Sequence, residues 1–103
     1  MARKVVWTNT ALADLELVAE FIGRDSQYYA AALVREVCAA ARSLSQFAVR
    51  GRIVPEFGDK SIRELVLQNY RLIYRVQTPR VVVLAFIHGA RDLRSLWQSR
   101  FGN

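Results

Sequence analysis

The sequence predicts an α+β fold with an N-terminal strand, an antiparallel helical hairpin, a three-stranded antiparallel meander and a short C-terminal helix. Apolar residues recur at helical spacing in the first half of the chain. Three short runs rich in Val, Ile, Leu, Tyr and Phe follow, separated by polar or Pro-containing breaks. The chain of 103 residues, 52% of them hydrophobic, suits one domain with a single core, and we expect residues 1–103 to form it.

The first elements are a strand and a helix. Arg3–Trp7 is a short β-branched and aromatic run that predicts a strand, which should join the sheet. Thr8 is a good N-cap, and Gly23 indicates where the helix stops. The expected apolar stripe consists of Leu12, Leu15, Val18, Ala19 and Ile22, widened by Leu17 and Phe21.

A second, longer helix follows after a link of about three residues, which permits only a tight antiparallel hairpin. Asp25 and Ser26 provide caps. Cys38, the only cysteine, lies on the apolar stripe of this helix, so we expect a buried structural thiol rather than a nucleophile. A lone cysteine excludes an internal disulfide and a cysteine-based zinc site, and we expect neither metal nor cofactor.

The helical pattern lapses over residues 45–60, where Gly and Pro residues indicate a loop. Its apolar side chains should hold it to the core: Phe47, Val49, Ile53, Val54 and Phe57. Strands are predicted at Ile62–Leu67, Tyr70–Val76 and Arg80–Ile87. The last has no polar alternation, so it should be central and covered on both faces. Asp92 then caps a short helix carrying Leu93, Leu96, Trp97 and Phe101.

The positive charge is distributed unevenly along the chain. Residues 1–62 carry 8 Lys and Arg against 7 Asp and Glu, whereas residues 63–103 carry 7 Arg against 2 acids. In the second meander strand the two-residue period sends Tyr70, Leu72, Tyr74 and Val76 to a core face, and Arg71, Ile73 and Arg75 to a cationic one. The arginine fork suits phosphate or carboxylate, so we favour an anionic partner over a solvated face balanced by Asp59, Glu64 and Asp92.

The sequence predicts a cytoplasmic protein that makes no use of a membrane. The longest apolar run, Val81–Ile87, is far short of the roughly 20 residues that a spanning helix needs. No apolar signal segment follows Arg3 and Lys4.

Four stretches in the order WTNTALADLELVAEFI, GRIVPE, RELVLQNYRLIYRV and LAFIHGARDL resemble the RelE/ParE superfamily, the toxins of bacterial type II toxin–antitoxin pairs. The resemblance spans nearly the whole chain. It implies a cognate antitoxin whose acidic or amphipathic C-terminal segment wraps and neutralises the toxin. The residues expected to bind a partner or target are Arg63, Arg71, Arg75, Arg91, Arg94 and Trp97.

This superfamily contains two functional classes. RelE-like members cleave messenger RNA on the ribosome, whereas ParE-like members poison DNA gyrase and lack ribonuclease chemistry. Arg71 and Arg91 match arginines of the RelE-like enzymes, and Glu64 or His88 could act as the base. Trp97, however, stands where RelE carries a tyrosine, and an indole N–H is no general base.

The lysines that RelE places on the second strand also have no counterpart in Ile62–Val66. Together with the long two-helix opening, this favours the ParE-like branch, a gyrase poison and a non-enzymatic toxin. The alternative is a RelE-like ribosome-dependent messenger endoribonuclease. A third interpretation is a non-enzymatic nucleic-acid-binding module that uses the same basic face.

Overall fold

The computed structural model describes residues 2–102 and confirms the predicted α+β class. Along the chain the elements are β1 (Lys4–Trp7), α1 (Asn9–Gly23), α2 (Gln27–Ser43), β2 (Arg52–Ile53), β3 (Ile62–Leu67), β4 (Tyr70–Val76), β5 (Arg80–His88) and α3 (Leu93–Phe101). The strands form one mixed sheet in the order β1-β5-β4-β3-β2. The predicted bounds of β3 and β4 are confirmed, and β5 is one residue longer than expected.

Each helix begins at a polar side chain that the sequence had indicated. The Thr8 side chain accepts a hydrogen bond from the Ala11 N–H, and the Ser26 side chain accepts one from the Tyr29 N–H. Asp92 accepts from the Ser95 N–H in the same way. These caps satisfy backbone donors that have no partner within the helix.

Two features of the sheet were not predicted. β1 pairs with β5 in parallel, with Lys4 opposite Arg80, so the sheet is mixed rather than wholly antiparallel. β2 lies in the expected loop and pairs with β3, but two residues are too few to show an alternating pattern. Gly51, just before β2, has no room for a side chain, because a Cβ there would lie 2.5 Å from the Glu64 carbonyl oxygen.

The main core lies between the helical hairpin and one face of the sheet. It contains Ala11, Leu15, Leu33, Val37, Ala41, Leu44, Ala48, Leu65, Leu72, Tyr74, Val81, Val83 and Phe86. Tyr70 and Val76 pack against it, so the core face of β4 is confirmed. Ile73 pairs with Ala85 and Tyr74 with Val83, which leaves Leu84 as a bulge residue in β5. The bulge lets Val83 and Phe86 face the same core.

The opposite face of the sheet carries a second, smaller core instead of the continuous cationic surface expected there. Its buried members are Val54, Ile62, Ile73, Ala85, Ile87 and Leu93, and Phe57, Leu96 and Trp97 pack against them. The loop before β3 and helix α3 supply this cover. β5 is therefore covered on both faces, as predicted, whereas the prediction of a cationic face on β4 is wrong at Ile73 and for the buried Arg71.

Some apolar side chains expected in the core lie at the surface. Leu12, Leu17 and Phe21 are exposed, because α1 contacts β5 and α2 and its third side faces solvent. Phe47 and Val49 are also exposed, so Val54 and Phe57 hold the loop. Cys38 is half-buried against the main core rather than fully buried.

Helices α1 and α3 close the outer edge of β5 where β1 ends. The Asp14 carboxylate accepts the Phe86 N–H at 3.0 Å and binds both terminal nitrogens of Arg100 at 2.8 and 2.9 Å. Arg100 also donates to the Leu84 carbonyl at 3.3 Å. An unpaired strand edge is a template for further pairing, and these side chains occupy it. They also fix α3 across the second core.

Candidate functional site

An open cleft of about 450 Å³ lies at the β3–β4 turn, beside the second core. Its lining residues come from the loop around β2, from the turn itself and from the segment after β5: Arg52, Pro55, Glu56, Val66, Gln68, Asn69, Tyr70, Arg71, His88, Gly89 and Ala90. Strands β4 and β5, which also meet here, carry the sequence-predicted candidates Arg71 and His88. The cleft therefore brings Arg71 and His88 together, with the Glu64 side chain bound to Arg71.

Arg71 is held by two carboxylates. Its Nε donates to Glu64 Oε1 at 2.6 Å, and its two terminal nitrogens donate to the two oxygens of Glu56 at 2.8 and 2.7 Å. The second oxygen of Glu64 accepts from Arg52 Nε. The Glu64 side chain is fully buried and that of Arg71 is 8% exposed. Two arginines and two glutamates thus form a charge-balanced group, which we call the paired cluster.

The paired cluster stabilises the ionised forms of Glu56 and Arg71. Hydrogen bonds from Arg71 lower the pKa of Glu56 to about 2, against the opposing effect of burial. The hydrogen bond to Glu56, followed by that to Glu64, raises the pKa of Arg71 above its usual value. Glu56 is therefore ionised and a weak base at neutral pH.

His88 and Arg91 lie on the turn that leaves β5. His88 Nδ1 accepts the Ala90 N–H at 3.1 Å, and its ring meets that of Tyr70 edge-on at a centroid distance of 5.6 Å. Both His88 and Arg91 are exposed. Within residues 2–102, Arg91 makes no side-chain hydrogen bond or ion pair. His88 is the cleft residue best placed to exchange a proton with solvent.

The remaining predicted binding residues are divided between separate places. Arg94 donates to the Glu56 carbonyl oxygen at 3.0 Å, at the border of the cleft. Trp97 packs between Phe57 and Phe101, with ring centroids 5.0 and 4.5 Å away, in the second core.

Arg63 and Arg75 lie toward the other end of the strands. Arg63 donates to the carbonyls of Lys60 and Gly51, at 3.1 and 3.0 Å. Arg75 stands opposite Ile62, at the start of β3. The six residues therefore do not form one surface, and their binding roles stay predictions.

Glu56 and Arg52 were not among the sequence-predicted candidates. Both lie in the Gly- and Pro-containing loop, where the pattern of apolar residues gives no position for a side chain. The available signal was the stretch GRIVPE, which carries both residues. The pairing of Glu64 with arginines agrees with the charge-balancing role considered for it.

The described part of the chain offers no group of three or more His, Cys, Asp and Glu side chains placed to hold a metal ion. None of the helices within residues 2–102 combines the length and the apolar character needed to cross a membrane.

Residues 5–93 match the family model described as ParE toxin of type II toxin-antitoxin system, parDE. The chain is 35% identical over 89 residues to Toxin RelE2 of Caulobacter vibrioides, covering 85% of this chain and 97% of that protein. Both comparisons confirm the resemblance to the RelE/ParE superfamily.

Solved structures give the same fold. A chain of the chromosomal ParDE TA system from P. aeruginosa superposes with a TM-score of 0.69 at 21% identity, covering 84% of this chain and 96% of that chain. A chain of the toxin-antitoxin complex RelBE2 from Mycobacterium tuberculosis gives 0.59 at 25% identity, covering 88% and 95%. With the family model matched over most of its length, the chain belongs to the ParE toxin family of type II toxin–antitoxin systems.

Proposed function

We propose that this toxin inhibits growth by poisoning DNA gyrase and that it does not cleave RNA. The observation that carries the proposal is the occupied fork of Arg71. Cleavage beside a 2′-hydroxyl needs cations that receive the charge developing on the phosphate. Both terminal nitrogens of Arg71 already bind Glu56, and its Nε binds Glu64. A phosphate would have to displace a carboxylate to reach them.

The groups available for proton transfer support the same proposal. Glu56 has its pKa lowered to about 2, so it removes a proton poorly near neutral pH. Both Glu64 oxygens are engaged by arginines in a fully buried position. Trp97 lies in an aromatic cluster of the second core, and its indole N–H cannot act as a base.

The proposed partner is a cognate antitoxin acting in the cytoplasm, with an acidic or amphipathic C-terminal segment. The similar solved structures are described as a ParDE system and as a toxin-antitoxin complex. Arg94 at the border of the cleft offers charge, and the exposed Leu17 and Phe21 of α1 offer apolar contact at a separate place. Such a segment would be ordered only on binding.

A RelE-like endoribonuclease is the second candidate. It is favoured by the 35% identity to a protein named Toxin RelE2 and by the presence of Arg71, His88 and Glu56 in one cleft. In this alternative, messenger RNA would displace Glu56 from Arg71, and His88 would transfer the proton.

Two assays on the purified toxin decide between these functions. Increasing toxin should reduce the supercoiling of relaxed plasmid by gyrase, while messenger RNA bound to ribosomes stays intact by primer extension. Undiminished supercoiling together with new cuts at the ribosomal A site would refute the proposal and establish the endoribonuclease.

A further inference from the structure

The structure brings together cations that are far apart in the sequence. Arg3 and Lys4 begin β1, Arg42 lies in the last turn of α2, and Arg50 follows soon after it. Lys60 and Arg63 surround the start of β3, Arg75 is near the end of β4, and Arg80 begins β5. We call these eight residues the basic end.

Arg3 and Lys4 at the start of β1 are held beside the end of α2 and the start of β5. The Arg3 N–H donates to the Ser45 carbonyl at 2.9 Å, and the Arg3 Nε donates to the Gln77 carbonyl at 3.1 Å. Lys4 pairs with Arg80 across the β1–β5 ladder. The beginnings of β1 and β5 and the end of α2 therefore lie side by side.

Hydrogen bonds also hold the start of β3 beside the end of β4 and the segment that carries Arg50. Arg63 donates to the carbonyls of Lys60 and Gly51, which connects the start of β3 to the segment that carries Arg50. The Val76 N–H donates to the Ser61 carbonyl at 2.8 Å, so the end of β4 adjoins the same place. The paired cluster lies nearer the opposite end of the strands, beside the β3–β4 turn.

All the excess positive charge of the protein belongs to the basic end. Among the segments that form it, Asp59 is the acid that lies beside the cations, and its carboxylate is bound by the Ser61 N–H and hydroxyl. The other 7 cations of the chain are set against 8 acids. In the described residues 2–102, none of the eight cations is within ion-pair distance of a carboxylate.

The arrangement suits an extended polyanion better than a single small anion. Lys4, Arg80 and Arg75 share the second-core face of the sheet, whereas Arg63, opposite Tyr74, stands on the helix face. The basic end therefore wraps around the ends of four adjacent strands, which at ~4.8 Å per interval span about 14 Å, comparable to about four 3.4 Å steps of a nucleic acid strand. The exposed Phe47 and Val49 lie among them and offer apolar contact, with an aromatic ring on which an unpaired base can stack. Lysine and arginine side chains are common donors to the phosphate backbone.

We propose that the basic end binds the phosphate backbone of nucleic acid, separately from the cleft. The surface differs from the cationic sheet face that the sequence predicted, because Arg71 is buried and neutralised whereas Arg42, Arg50 and Lys60 are exposed. The proposal does not depend on the target of the toxin, since gyrase and the ribosome both act on nucleic acids.

The test measures binding of the full-length toxin to a fluorescein-labelled 20-base-pair DNA duplex and to a 20-nucleotide single-stranded RNA by anisotropy, from 50 to 200 mM salt. About four phosphate contacts predict a slope of log K against log salt of about −3.6 for the duplex and about −2.8 for the single strand. Arg42→Gln with Lys60→Gln should reduce the slope on the duplex by about 2 units, because two contacts are lost.

Arg24→Gln with Arg35→Gln is the matched control, because it removes the same charge from exposed positions outside the basic end. Its slope should equal that of the wild type. Equal weakening by both double variants would overturn the proposal, since net charge alone would then explain binding. Binding to poly-glutamate with none to either nucleic acid would overturn it too and assign the surface to an acidic protein. Failure of gyrase inhibition with the predicted slopes intact would refute the proposed target alone.

Discussion

The paired cluster and the basic end use the same residue type in opposite ways. In the paired cluster, Arg71 and Arg52 meet Glu56 and Glu64, and the charges balance around the buried Arg71 and Glu64. At the basic end, exposed cations from five segments face solvent without carboxylate partners among residues 2–102. The number of arginines on a strand therefore does not indicate anion binding, because what matters is whether a carboxylate already holds the guanidinium.

The largest expected effect follows from removing Arg71. Arg71→Met keeps an apolar stem but leaves the fully buried Glu64 with Arg52 as its one remaining cation in the paired cluster, and Glu56 with no bidentate partner. Breaking a buried pair on one side should reduce the free energy of unfolding by about 3–5 kcal/mol. Urea unfolding followed by circular dichroism measures it.

Arg42→Gln is the control for this comparison, because Arg42 is exposed at the basic end and should change stability by no more than about 0.5 kcal/mol. The double variant Arg71→Met with Glu64→Leu should regain part of the loss, since the buried charge disappears with its partner. If Arg71→Met and Arg42→Gln both reduced the free energy of unfolding only slightly, the paired Arg71 would stabilise the fold no more than an exposed cation of the basic end, contrary to this comparison.

Gly51 connects the two regions, with Arg50 of the basic end before it and Arg52 of the paired cluster after it. A Cβ at this position would meet the Glu64 carbonyl oxygen at 2.5 Å and the Tyr74 hydroxyl at 2.6 Å. Gly51→Ala should therefore cost about 1–3 kcal/mol in thermal or urea unfolding, because the buried surroundings must shift. Gly89→Ala, whose Cβ would lie 3.3 Å from the Asn69 carbonyl oxygen, should cost less; the reverse order would contradict the packing around β2.

The sequence predicted the strands of the meander well, because each is long enough to show an alternating or continuous apolar pattern. β2 was missed because two residues show no pattern, and the parallel pairing of β1 depends on contacts 76 positions away. Leu17 and Phe21 look like core residues at helical spacing, but only packing determines which side of a helix is covered.

The sequence predicted only part of the candidate site, because periodicity places side chains on strands but not in loops. Arg71, Glu64 and His88 lie on or next to regular strands, so their positions followed from periodicity. Glu56 reaches Arg71 from a loop 15 positions earlier, and no local pattern gives that distance. The basic end was missed because charge was counted along the chain, whereas Arg3, Arg42 and Arg50 join Arg63 and Arg75 only in the folded protein.

Arg100 is paired with a carboxylate like Arg71, but its side chain is less buried. Its pair with Asp14 has side-chain exposures of 16% and 11%, and it holds α3 against the edge of β5. Arg100→Gln should lower the free energy of unfolding by about 1.5–3 kcal/mol, the usual range for a hydrogen bond between charged groups. Arg24→Gln, which removes the 70% exposed pair with Glu20, should lower it by less than about 1 kcal/mol. Equal losses would mean that the Arg100–Asp14 pair, which joins α3 to α1, adds nothing to the stability of the fold.

The smallest expected effect is a pH dependence carried by Glu56. Its pKa is lowered from 4.5 to about 2 by the hydrogen bonds to Arg71, so it stabilises the fold at pH values above 4.5. This contribution is lost as the pH falls from 4.5 toward 2, because protonation breaks the pair. Glu56→Gln should flatten the curve of stability against pH in this window, whereas Glu16→Gln, at an exposed position on α1, should leave it unchanged. An unaltered curve for Glu56→Gln would show that the pair does not form in solution.

The most direct test of the proposed function compares gyrase inhibition by the wild type and by His88→Gln. His88 is the exposed group of the cleft best placed to transfer a proton, and glutamine keeps a polar side chain of similar size without the imidazole. A gyrase poison that performs no proton transfer should give the same concentration for half-inhibition of supercoiling in both proteins. A toxin that leaves supercoiling untouched, or one whose inhibition disappears with His88, would contradict the account.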